Sequence, residues 1–222
     1  MLDGIKGLHI NSNFDWSNHI EELSIDLKKR ISLLRRIRER ISKEKLIIVA
    51  EAIFNSKIRY GASVYLVPVF DREDLKWRTY SKCVTPKETH ALQTLQNNMI
   101  RVIHGFNKSQ HINMEKLRNR IKMMSVNQIA VYHTILETFN IIRKSSSEQI
   151  ETKYTHQNQH SQRRTANNDL KVPERTKKNC TGFSYNGAKL FNMLPSIVKE
   201  SENQANFKIM VKDWICKNIP SN

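Results

Sequence analysis

Asp71, Glu73 and Asp74 form an acidic knot beside Arg72 and Lys76. Such a knot could ligate a metal, but its spacing meets no known coordination requirement, and a solvated loop is the simpler reading. His156 and His160 could stand one turn apart on a helix and hold zinc, yet no carboxylate motif lies between them and the surrounding sequence is polar. His9, His19, His90, His104, His111 and His133 are scattered, and none stands next to a GxSxG-type nucleophile. Cys83, Cys180 and Cys216 are odd in number and far apart, which argues against a disulfide framework and a CxxC zinc site and for reduced thiols. No GxxxxGK[ST] or GxGxxG loop occurs, so nothing supports a phosphate cradle for a nucleotide. The sequence therefore offers no catalytic residue, no metal site and no cofactor site.

Charge points elsewhere. Lys plus Arg number 37 against 21 Asp plus Glu, a formal net charge of +16 over 222 residues, which favours a polyanionic partner and nucleic acid first. At about 100° per residue, Lys28, Lys29, Arg35, Arg36 and Arg40 fall on the side of a helix opposite Leu27 and Leu34. Two readings of that face are open. It could be a solvated surface whose C-terminal cations complement the helix dipole, with Glu21 and Glu22 doing the same at the other end. It could equally be a phosphate-binding surface, because only Asp26 and Glu39 accompany the run and local pairing does not absorb the surplus. A second basic patch, Arg163, Arg164, Lys171, Arg175, Lys177 and Lys178, lies in a polar stretch where phosphate contacts need no fixed fold. Tyr154, Phe183 and Tyr185 could stack on bases, although packing in a core is the expected use of such rings.

The elements that must carry these residues are mostly helical. Ile20, Leu23, Leu27, Ile31, Leu34 and Ile41 recur at helical spacing after Trp16 and Ser17, which predicts a helix over about 17–40 with Ser17 as its cap. Ser42 caps a second helix carrying Leu46, Val49, Ala50, Ile53 and Ile58 up to a bend at Gly61. SVYLVPV reads as irregular or briefly extended. Thr85, Pro86 and Glu88 make a capping box with proline at the first helical position, ahead of Leu92, Leu95, Met99 and Val102, with Gly105 as the stop. Asn113 starts a short helix through Met123, and Ser125 with Gln128 starts another carrying Ile129, Tyr132, Leu136, Phe139 and Ile142. From Lys144 to Asn179 large aliphatic residues almost vanish, and the segment reads as a linker or mobile arm. A last helix over Asn206–Asn218 sets Phe207, Met210, Val211, Trp214 and Ile215 on one side. No internal repeat is visible. No apolar run is long enough to span a membrane and the first residues lack a secretory core, so a nuclear or cytoplasmic location without membrane attachment is expected.

Several stretches, in order, carry a resemblance: KGLHINSNFDWSNHI (6–20), SLLRRIRERISKEKL (32–46), KIRYGASVY (57–65), ALQTLQNNMIRVIHG (91–105) and FSYNGAKLFNMLP (183–195). They resemble, over nearly the whole chain, the C-terminal part of reverse transcriptases from non-LTR, LINE-type retrotransposons, where the corresponding patterns read LGxxID with WxxHI, LLRRIR, YGSxVW, LQxxxxRxIxG and FxYxGAxLWNxLP. Asn11 replaces a usual Asp, and Tyr65 and Phe191 each replace a usual Trp, as drift at packing positions would produce.

The resemblance implies a mainly α fold: a thumb-like helical bundle with a small extended N-terminal piece, a flexible basic arm and a C-terminal helix. It implies a remnant of the palm edge at 1–16, a helical thumb-like domain at 17–143, a flexible basic linker at 144–179 and an extension at 180–222 that docks on the helices. Polymerisation in that family needs palm carboxylates holding two metal ions, including a Tyr-x-Asp-Asp turn, and no such turn exists in this sequence. The expected role is binding of RNA, DNA or an RNA/DNA hybrid through phosphates, without catalysis. The alternative is a protein-interaction module derived from the same element with no nucleic-acid role. Within FSYNGAKLFNMLP, Asn186-Gly187 is expected to give a turn or helix entry, Leu190, Phe191 and Leu194 a buried anchor, and Pro195 the stop.

Overall fold

The computed structural model describes residues 7–12, 15–70, 77–78, 84–107, 110–148, 169–173 and 182–219, and the fold is mainly helical. Helix α1, Ser17–Ile37, buries Ile20, Leu23, Leu27, Ile31 and Leu34 along one stripe, as their spacing requires. Its start differs from expectation. Trp16 occupies the N-cap position without a side-chain bond, and Asp15 Oδ1 accepts from the Ser17 amide at 3.0 Å. Asp15 thus does the capping that Ser17, already inside the helix, cannot do. The helix also stops at Ile37, so Arg40 stands in the turn beyond it.

Helix α2, Lys43–Ala50, opens on Ser42, whose hydroxyl accepts from the Lys45 amide at 3.4 Å. It passes into a π turn, Glu51–Asn55, and on into α3, Ser56–Arg59. The π turn leaves Phe54 and Asn55 both buried. Gly61 then bends the chain at φ 67°, and a Cβ there would meet Leu8 Cδ1 at 2.8 Å. Only glycine fits both the left-handed backbone and that contact. SVYLVPV is less irregular than expected: Ala62–Tyr65 forms the short helix α4 before β1, Val69–Phe70, pairs antiparallel with β2, Trp77–Arg78.

Helix α5, Pro86–His104, has the expected capping box: the Glu88 amide donates to Thr85 Oγ1 at 3.3 Å and Glu88 Oε2 accepts from the Thr85 amide at 2.7 Å. Gly105 ends it at φ 78°. Its inner face holds Leu92, Leu95, Met99 and Val102 and also two buried glutamines. Gln96 Nε2 donates to Asn55 Oδ1 at 3.1 Å and to the Met124 carbonyl at 2.9 Å, and Gln93 Oε1 accepts from the Val126 amide at 3.0 Å. These bonds give buried polar atoms partners that their burial demands. Helix α6, Met114–Arg120, is shorter than expected because the chain turns at Lys122, φ 53°.

Helix α7, Val126–Glu148, joins two cores. Val126, Ile129 and Ala130 belong to the first, with Leu27, Leu34, Phe54, Tyr65, Leu92 and Met99. Val131, Ile135 and Phe139 belong to the second, with α8, Phe183–Asn192, α9, Ser196–Lys199, and α10, Gln204–Asn218. Asn203 rather than Asn206 starts α10, its Oδ1 accepting from the Ala205 amide at 2.8 Å. Leu190, Phe191 and Leu194 are buried as expected. Asn186 and Gly187 make no turn: both are buried inside α8, and Asn186 Nδ2 bonds back to the Gly182 carbonyl at 3.0 Å.

The expected linker over 144–179 differs in its described parts. Helix α7 continues to Glu148, and residues 169–173 are docked. Leu170 is fully buried; its amide donates to Asn192 Oδ1 and its carbonyl accepts from Asn192 Nδ2, both at 2.8 Å. Lys199 pairs with Asp169 alongside. Val172 packs against the same core, and these two aliphatic side chains suffice in a polar stretch when a side-chain amide satisfies the Leu170 backbone on both sides.

Candidate nucleic-acid interface

Burial of the Leu27–Leu34 stripe leaves the rest of α1 to solvent: Lys29 and Arg36 stand opposite the stripe, Lys28 and Arg35 on its flank, and these four and Arg40, in the turn beyond, are all exposed. The acids counted against them are engaged elsewhere. Asp26 pairs with Arg30 at 3.0 Å and with Lys57 at 3.9 Å, while Arg30 also donates to the Ile53 carbonyl at 2.9 Å. Glu39 faces Arg38 at 3.4 Å, and Glu22 faces His9 at 3.1 Å. Lys28, Lys29, Arg35, Arg36 and Arg40 form no ion pair with any described residue. Like charges clustered without an ion-pair partner among the described residues repel one another, and an anion placed over them would relieve that repulsion. Ile25 and Leu33, 48% and 43% exposed, interrupt the same face with apolar surface.

Arg163, Arg164, Lys177 and Lys178 lie outside the described residues, as do Arg175 and Tyr154, the acidic knot at 71–74, and His156 with His160. Lys171 is exposed on the docked segment. Tyr185 is buried and Lys189 Nζ stands 5.2 Å from its ring centre, so this ring is used in packing and is closed to a base.

Beside the basic face a groove of about 560 Å³ is lined by Gly7, His9, His19, Glu22, Asp26 and Tyr60 among others. Burial holds His19 below the usual imidazole range, helped by His9 and opposed by Glu22. Tyr65 meets His19 edge to face at 4.8 Å, and its hydroxyl donates a hydrogen bond to the Ile58 carbonyl at 2.6 Å. Among the described residues no three His, Cys, Asp or Glu side chains come together to hold a metal. No described helix is long and apolar enough to cross a membrane.

No family model, curated protein or solved structure matches this chain. A functional reading therefore stands on the residues themselves and on their ordered motifs.

Sequence reasoning missed one grouping. Lys43 and His104, 61 positions apart in the chain, meet at 2.9 Å where the ends of α1, α2 and α5 converge. No local pattern announces that contact, since Lys43 reads alone as a cation near a helix start and His104 as one of several scattered histidines.

Proposed function

We propose that this chain is a thumb-like, nucleic-acid-holding part of a non-LTR retrotransposon reverse transcriptase, binding RNA, DNA or their hybrid through backbone phosphates and carrying no polymerase centre of its own. The observation that carries this reading is the exposed α1 face, on which Lys28, Lys29, Arg35 and Arg36 lack a described counterion while Asp26 and Glu39 serve other cations. The ordered motifs and the formal charge of +16 support it. Contacts of this kind set position on a duplex and read no bases, so the binding is weakly sequence-dependent. The missing Tyr-x-Asp-Asp carboxylates leave nothing to align a 3′-hydroxyl with a triphosphate.

A second reading, a protein-interaction module, draws on Ile25 and Leu33, whose exposure within the charged face suits an apolar contact. Filter binding with RNA, DNA and an RNA/DNA hybrid separates the two. Retention of all three at low salt supports the nucleic-acid role. Failure to retain any of them rules it out and leaves the partner-binding role.

A further inference from the structure

A second cationic site sits at one end of the N-terminal helices. Lys43 Nζ, at the start of α2, lies 2.9 Å from His104 Nδ1 on the last turn of α5. An ammonium can only donate, so Nδ1 accepts and the ring proton is on Nε2, a buried atom with no hydrogen-bond partner among the described residues. Arg120, exposed at the end of α6, and Lys43 both oppose charging of this imidazole, and burial opposes it most, so His104 sits below its usual range. Among the described residues no carboxylate raises it. Arg38 reaches the same corner: a Cβ on Gly105 would stand 3.9 Å from its Nη1. Glu39 partners Arg38, and Glu44, which feels Lys43 weakly, spends its carboxylate on its own amide and the Ser42 hydroxyl.

A flat ring lies against this cluster. Phe106 stacks on His104 with the planes 3° apart and centroids at 5.9 Å, and it remains 36% exposed. Its backbone is held in place: the Phe106 amide bonds to the Arg101 carbonyl at 2.9 Å, and Arg101 Nη1 donates to the carbonyls of Asn107 and Gln110, each at 2.9 Å. Lys43 and Arg120 form no ion pair with any described residue, so an anion can neutralise them, and the exposed ring beside them offers a platform for a base.

We propose that this corner binds single-stranded nucleic acid, Lys43 and Arg120 taking a backbone phosphate while Phe106 stacks on the adjacent base. A duplex keeps its bases stacked inside, so the ring selects unpaired strand. The inference rests on the nucleic-acid reading above but uses a surface separate from the exposed face of α1.

The test follows the His104 imidazole signals of the labelled full chain by NMR as a thymidine tetranucleotide is added, with inorganic phosphate and phosphatidylserine vesicles as controls. The tetranucleotide should shift His104 in the native chain and in K29Q/R36Q, and should lose that effect in K43Q/R120Q, whose substitutions are exposed and spare the core. F106L should weaken the tetranucleotide about fivefold or more and leave the phosphate response unchanged. A His104 signal unmoved by the tetranucleotide, while the hybrid still binds, overturns this site and leaves the proposed function standing. Equal shifts from phosphate or vesicles with no effect of F106L likewise overturn it. If neither tetranucleotide nor hybrid binds, both readings fail together.

Discussion

Gln128 Nε2 donates to the Ile219 carbonyl at 2.9 Å, tying the first turn of α7 to the end of α10 across 91 positions. The same side chain closes the α7 cap, its Oε1 accepting from the Ser125 amide at 3.0 Å. Gln128→Ala leaves a buried amide and a carbonyl without partners. It should lower stability by about 1–3 kcal/mol in urea unfolding. A change under a few tenths would show that water replaces both bonds at no cost.

Phe139 of α7 and Phe207 of α10 stack with centroids 3.8 Å apart and planes 10° from parallel, at the centre of the second core. Phe207→Ala should cost about 3–5 kcal/mol. Because the two cores share α7, thermal unfolding should remain a single transition at a lower midpoint. A native midpoint, or loss of the C-terminal helices alone, would contradict that coupling.

His133 is held at about 4 rather than 6.5, first by burial and then by the nearby Arg59. The unfolded chain therefore binds a proton between those values that the folded chain refuses. Stability is full above pH 6.5 and falls toward pH 4, by at most about 3 kcal/mol from this group. His19, lowered chiefly by burial, acts in the same direction. His133→Gln should flatten the decline in chemical unfolding series between pH 7 and 4, and an unaltered slope would remove His133 as its source.

Much of the fold is legible because caps are local. Thr85 with Glu88, Ser42, Asn113 and Gly105 act within a few residues of themselves, so their types and spacing name their positions. The stripe from Ile20 to Leu34 is equally readable, and with it the exposure of Lys29 and Arg36 on the other side. What escaped depends on distant partners. Asn186-Gly187 has turn chemistry, yet packing in the second core keeps it helical. Leu170 looks like an isolated residue in a polar stretch until Asn192 appears beside it. The charged face was readable, but the commitment of Asp26 to Arg30 and Lys57 required knowing that α3 lies alongside.

Asn192→Ala removes both bonds to Leu170 and should loosen the docked segment by about 1–2 kcal/mol. Tryptic cleavage after Lys171 should then accelerate roughly five- to thirtyfold, tracking the population of the open form. Equal rates in the native chain and the variant would mean that Leu170 and the Lys199 pair with Asp169 hold the segment without Asn192.

The central claim is most directly tested by the salt dependence of affinity for an RNA/DNA hybrid, measured for the native chain and for K29Q/R36Q/R40Q. The three cations are exposed, while Leu27, Ile31 and Leu34 that anchor α1 are untouched, so the fold should be retained. About four phosphate contacts should give a slope of log K on log salt near −3 in the native chain, and the variant should be shallower by about two with weaker binding at low salt. A folded variant with unchanged affinity and unchanged slope would contradict the account and leave the basic face as a solvated surface.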